Sequence, residues 1–81
     1  MSTASATEPA TTDRVDEILA IVRVVLDKPT LTADDEVMDH GGTSLSVVRI
    51  LAETRRALDL NINPRDLNGT VTARSLARAG R

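Results

Sequence analysis

Asp39-His40-Gly41-Gly42-Thr43-Ser44-Leu45-Ser46-Val47-Val48-Arg49-Ile50-Leu51 carries a glycine loop straight into an apolar-periodic helix. Ser44 stands at the transition, as an exposed nucleophile beside the positive end of a helix dipole. An anionic group attached there is favoured by the free backbone N–H groups and by the dipole. Gly41 and Gly42 permit backbone angles that other residues resist, and so let a partner approach Ser44 closely. The chain around this point offers little else that could do chemistry. The stretch therefore reads as a place to attach a prosthetic group, not a place to turn over a substrate.

Working outward, the helix that begins at Ser44 is predicted to run to Leu58. Val47, Ile50, Leu51, Thr54 and Leu58 recur at i, i+3, i+4, i+7 and i+11, which marks a core face with Thr54 as its polar exception. Leu45, Val48 and Arg49 fall off that face on the side next to Ser44, and read as a docking surface. Upstream, Val15, Ile18, Leu19, Val22, Val25 and Leu26 repeat at helical spacing. That helix is expected to start near Thr12 or Asp13, with Asp13, Asp16 and Glu17 loading its first turn, and to be stopped by Pro29 after Lys28. Between the two helices lies a long connection, from about Pro29 to Thr43, of a length that often carries function. Leu31, Val37 and Met38 are its expected core anchors. Asp34-Asp35-Glu36 reads as solvated loop, since three adjacent acids do not converge on a cation without further ligands.

Downstream, Asn63-Pro64 looks like a helix cap followed by proline at the first helical position, predicting a short helix from Pro64 to about Asn68. Leu60, Ile62 and Leu67 are its anchors. Thr70 or Thr72 then caps a last helix to about Ala79, with Leu76 facing inward and Gly80 at its end. Residues 1–12 are Ser/Thr/Ala-rich with Pro9 and are expected to form a disordered tail ahead of a single folded domain over residues 13–81.

Composition narrows the function classes. The chain has 81 residues, no Cys, no Phe, Trp or Tyr, and one His. Disulfides and thiolate metal sites are excluded, and base-stacking platforms for single-stranded nucleic acid are missing. The net charge of −2 is polarised, since the acids gather between Asp13 and Asp39 and seven of the arginines follow His40. Those arginines are spread over several helices and form no basic cluster, so nucleic acid is not an expected partner. There is no signal peptide and no spanning segment, so no membrane association and a cytoplasmic setting are expected.

The run Leu31-Thr32-Ala33-Asp34-Asp35-Glu36-Val37-Met38-Asp39-His40-Gly41-Gly42-Thr43-Ser44-Leu45 resembles the loop and attachment site of the acyl/peptidyl carrier protein family. Gly41-Gly42-Thr43-Ser44-Leu45 is more similar to the peptidyl version than to the fatty-acid version, which usually has an Asp before the serine. Pro64-Arg65-Asp66-Leu67, with Leu76 nine residues beyond Leu67, resembles the third and fourth helices of the family. The likeness spans about Asp13 to Ala79. It implies an all-α, antiparallel four-helix bundle with three longer helices and a short third one. It also implies that a phosphopantetheinyl transferase modifies Ser44, with coenzyme A as donor. The 4'-phosphopantetheine arm would then hold an acyl or aminoacyl thioester, which explains how a cysteine-free chain can take part in thioester chemistry.

On this resemblance the chain is expected to be a monomeric carrier and not an enzyme, acting as a discrete protein in natural-product biosynthesis. Its partners would be the transferase, an adenylating enzyme or acyltransferase that loads it, and a downstream condensing, tailoring or transferring enzyme. Leu45, Val48 and Arg49, then Thr43 and Met38, are the residues expected to meet them. The family commonly has aromatic residues where Val37, Met38 and Asn68 stand, a leucine at His40, and Pro-Thr at Val71-Thr72. His40 is read as a partly exposed loop residue in the leucine's place rather than as a contact for the arm's phosphate. Arg49, Arg55 and Arg56 outnumber Glu53 and Asp59 in the second helix, which argues against a fatty-acid carrier whose partners read an acidic helix.

Three other readings compete. A polyketide-type acyl carrier, loaded by an acyltransferase, shares the chemistry and differs only in its loading enzyme. A helical DNA-binding module would need a recognition helix and a dimer, and would leave the Gly-Gly-Thr-Ser-Leu start unexplained. A serine hydrolase would have only His40 as base, four residues before Ser44, and no strand leading into the turn.

Overall fold

The structure is a computed structural model, and it describes residues 11–80. Three α-helices carry it: α1 (Thr11–Leu26), α2 (Ser44–Leu58) and α3 (Ala73–Ala79). Each of the two connections contains one 3₁₀ turn, Val37–His40 in the first and Pro64–Leu67 in the second. No strand occurs among the described residues. Where the sequence predicts a short third helix from Pro64 to Asn68, the chain forms the single 3₁₀ turn. Asn63 caps it by accepting from the Arg65 amide, and Asn68 ends it in the left-handed region.

Helix α1 begins at Thr11, ahead of the Thr12 or Asp13 start expected from sequence, so Thr11 and Thr12 are helical. The rest of the expected tail lies outside the described residues. Its other end is set by Asp27 rather than Pro29. Asp27 takes φ 57°, its N–H donates to the carbonyl of Val24, and the N–H of Lys28 reaches back to that of Arg23 at 2.9 Å. This paired closure satisfies two carbonyls that a helix end otherwise leaves open. Asp27, Asp59 and Asn68 are the non-glycine residues with positive φ among those described. All three are Asx residues, whose short polar side chains tolerate that region best.

The core is aliphatic throughout. Val15, Ile18, Leu19 and Val22 of α1 are buried, while Val25 and Leu26 are only half-buried as the helix leaves its neighbours. Helix α1 is the central element, with α2 and α3 both packed on it. From α2 only Ile50 and Thr54 are fully buried; Val47, Leu51 and Leu58 lie at the edge of the core. Thr54 is tolerated because its hydroxyl donates to the Ile50 carbonyl at 2.7 Å, so burial leaves no polar group unpaired. Helix α3 contributes Ala73, Leu76, Ala77 and Ala79, and the connections contribute Leu31, Val37, Leu60, Leu67 and Val71. The alanines of α3 were not expected in the core. Their small size lets the short helix lie close against α1.

The first connection is pinned at both ends. Leu31 and Val37 are buried as expected, and the Arg23 guanidinium of α1 donates to the Leu31 carbonyl at 2.8 Å. Met38 departs from expectation: it is 46% exposed, because the 3₁₀ turn that buries Val37 points the next side chain outward. The acids of this loop are engaged, not simply solvated. Asp34 forms a two-pronged ion pair with Arg74, Asp35 accepts from the Thr32 amide at 2.8 Å, and Glu36 accepts from the Val71 amide. The Arg74 guanidinium holds the Asp34 carboxyl below the usual carboxylate range, chiefly by hydrogen bonding and then by its charge. Hydrogen bonding to the Thr32 amide is the main cause of the same downward shift at Asp35.

Candidate functional site

The start of α2 presents three hydroxyl side chains within four residues, and they do different work. Thr43 is the cap: its Oγ1 accepts from the Ser46 amide at 3.2 Å. Ser46 returns the favour, its Oγ accepting from the Thr43 amide at 3.2 Å and lying 3.3 Å from Thr43 Oγ1. This reciprocal box satisfies two donors and fixes the helix entry. Ser44, the first helical residue, is exposed and its hydroxyl has no partner among the described residues. The first intrahelical bond runs from Val47 N–H to the Thr43 carbonyl. With Ser46 capped as well, the amides of Ser44 and Leu45 stay open at the positive end of a fifteen-residue helix. A hydroxyl beside two open amides suits an attached phosphate: the oxygen is accessible, and the charge it brings meets donors.

Gly41 takes the kind of backbone angle the sequence leads one to expect, while Gly42 has a packing reason that sequence reading did not supply. Gly41 sits at φ 88°, closing the 3₁₀ turn with its N–H to the Val37 carbonyl. Gly42 donates to the same carbonyl at 2.9 Å and lies hard against Val37. A Cβ on Gly42 would come 2.4 Å from Val37 Cγ1 and 2.6 Å from its carbonyl oxygen. Gly42 is thus required by the fully buried Val37. Gly42→Ala is expected to cost about 1–3 kcal/mol of stability as overpacking that the backbone must absorb. Urea unfolding of the two proteins measures it; an unchanged midpoint would mean that the loop does not sit on Val37.

The residues expected to meet partners are on the surface. Leu45 is 69% exposed and Val48 59%, with Arg49 exposed between them and α1. Met38 is exposed too, while Thr43, although exposed, spends its side chain on the cap. The sequence reading missed Val24, which is 79% exposed on α1. It borders an open groove of about 400 Å³ lined by Ile21, Val25, Arg49 and Glu53. Its position, off the heptad-like run of α1 core residues, was the available signal. His40 is half-buried at the end of the 3₁₀ turn, its Nδ1 2.9 Å from the Glu36 carbonyl oxygen. That contact is a loop bond. No cluster of three or more His, Cys, Asp or Glu residues able to hold a metal occurs among the described residues. Nor is any of their helices long and apolar enough to cross a membrane.

The described scaffold is all-helical, with an unengaged Ser44 hydroxyl at the start of α2. Comparison with protein families agrees: residues 16–79 match the family described as phosphopantetheine attachment site, and the chain belongs to that family of carrier proteins. Its members bear 4'-phosphopantetheine covalently and interact with phosphopantetheinyl transferases and partner enzymes. Carrier domains of this kind are generally non-catalytic. A search of curated proteins gives no match.

Proposed function

We propose that Ser44 is the attachment residue and that the chain holds an aminoacyl or acyl group for partner enzymes of nonribosomal peptide or hybrid polyketide biosynthesis, without catalysing a reaction itself. One observation carries this reading: of the three hydroxyls at the start of α2, only that of Ser44 is unengaged, and it lies beside two open amides. In the transfer, the Ser44 oxygen attacks the pyrophosphate of coenzyme A, its proton is lost, the adenosine bisphosphate departs, and a phosphodiester remains. The open amides of Ser44 and Leu45 would offer donors to the diester's negative charge. Once bound, the arm supplies the terminal thiol on which cargo is held as a thioester. The Gly-Gly-Thr-Ser-Leu run and the absence of an acidic α2 support the peptidyl side of the family.

The test is intact-protein mass spectrometry after incubation with coenzyme A, magnesium and a broad-specificity phosphopantetheinyl transferase, followed by peptide mapping. One added arm on Ser44 is the expected result. An arm on Thr43 or Ser46 would overturn the site, and no arm across a panel of transferases would overturn the function.

Leu45, Val48 and Arg49 are the proposed partner contacts, with Thr43 and Met38 beside them. Leu45→Asp and Val48→Asp are each expected to lower the kcat/KM of loading by a cognate enzyme by about tenfold, the effect of burying a charge where an apolar contact was made. Both positions are exposed in the free chain, so circular dichroism melts should barely move. Native loading rates in both variants would place the docking face elsewhere.

A further inference from the structure

The Ser44 loop is latched to the start of α3 by a set of contacts between residues far apart in the chain, Glu36 and Val71 being 35 positions apart. The carboxylate of Glu36 accepts from the Val71 amide with both oxygens, at 3.1 and 2.9 Å. The next residue continues the pairing, Val37 N–H donating to the Val71 carbonyl at 2.8 Å. Two further links lie beside it, from the Arg74 amide to the Ala33 carbonyl and from the Arg74 guanidinium to Asp34.

From Glu36 a short chain of bonds leads to the attachment point. Its carbonyl takes the Asp39 amide at 3.0 Å and His40 Nδ1 at 2.9 Å, which closes the 3₁₀ turn. The carbonyl of Val37 takes the amides of Gly41 and Gly42. Thr43 and Ser44 follow directly. Glu36 is half-buried and Val37 fully buried, so water competes poorly for these bonds.

We infer that Glu36 is a positioning residue for the attachment reaction: by clamping the Val71 amide it fixes the loop from which Ser44 is presented to the transferase. This rests on the reading of Ser44 as the attachment residue. Without the clamp, the Val71 N–H loses its partner and the 3₁₀ turn loses its outer support. Ser44 then samples positions away from the one the transferase engages, and misplacement by an ångström costs a large factor in rate.

The variants separate reach from charge. Glu36→Ala removes the acceptor, Glu36→Asp keeps the charge but draws it back by one methylene, and Glu36→Gln keeps the reach and one acceptor oxygen. Ile18→Val serves as control, removing one methyl group from the core at an α1 position and leaving the hydrogen bonds between the loop and the start of α3 in place. With steady-state transfer from coenzyme A followed at a temperature where each protein is folded, Glu36→Ala and Glu36→Asp are expected to lose roughly tenfold to a hundredfold in kcat/KM. Glu36→Gln is expected to recover most of the native value, and Ile18→Val to keep it. Amide hydrogen exchange should rise at Gly41, Gly42 and Val71 in the Ala and Asp variants while α1 stays protected.

Native rates in folded Glu36→Ala, or a loss in Ile18→Val equal to that in Glu36→Ala, would overturn the inference. If Glu36→Ala does not fold, the contrast between Glu36→Asp and Glu36→Gln decides: equal rates overturn the inference and a slow Asp variant supports it. If the native chain takes no arm, the attachment reading fails first. The exchange pattern then decides the clamp alone: faster exchange at Gly41 and Gly42 in Glu36→Ala supports it and unchanged exchange overturns it.

Discussion

Ser44→Ala takes up no phosphopantetheine under conditions that modify the native chain fully, and it melts within a degree or two of the native protein. Both halves of that expectation follow from the helix start. The Ser44 hydroxyl makes no bond among the described residues and its side chain is exposed, so its removal opens no cavity and orphans no donor. The capping box of Thr43 and Ser46 is left intact and keeps α2 anchored where it begins. Ser46→Ala gives the mirror image. It removes half of the box, costs about 0.5–1 kcal/mol, and leaves the Ser44 hydroxyl in place. Mass spectrometry with thermal melts on the two variants checks the pair. An arm on Ser44→Ala would mean that a second hydroxyl serves, and a large fall in its melting point would mean that the Ser44 side chain has a structural bond.

The second large effect is on the fold. Leu76→Ala is expected to lose about 2–5 kcal/mol, the cost of a buried leucine truncated to a cavity. Leu76 is fully buried, and α3 has only seven residues with which to hold its place on α1. Its other inward residues are alanines, which cannot swing in to fill the gap. A domain this small has a stability of only several kcal/mol to draw on, and each kcal/mol moves its midpoint by about 4–8 °C. The variant should therefore melt about 8–40 °C lower. Because the start of α3 holds the Ser44 loop through Val71 and Arg74, its arm uptake should also fall at temperatures near the new midpoint. A shift of only a few degrees would show that α3 contributes little to the core. Calorimetry or a urea titration distinguishes these outcomes.

Local signals were legible in the chain because their causes are local. Asn63-Pro64 announces a cap and a first-turn proline, and a turn indeed follows, although it closes as 3₁₀ over four residues. The apolar spacing from Ser44 to Leu58 sets the helix bounds, and the structure has the same bounds. The glycine pair before Ser44 marked the helix start by its composition. Two positions show the limit of this kind of reading. Hydropathy alone groups Met38 with Val37 as an anchor, yet neighbouring side chains in a one-turn helix cannot both point inward. Asp34-Asp35-Glu36 reads as loop and is loop, but its partners, Thr32 apart, are at Val71 and Arg74, which no window of local sequence contains.

The sequence by itself determined an all-helical chain, the extent of α2, and the serine that stands at its start. These depend on residue spacing and on the chemistry of caps, glycine and proline, which act over a few positions. Tertiary structure alone decided why Gly42 has no side chain. It also decided how the loop before Ser44 is held. Those answers rest on the burial of Val37 and on hydrogen bonds between segments 35 residues apart, and such contacts exist only after α3 has docked on α1.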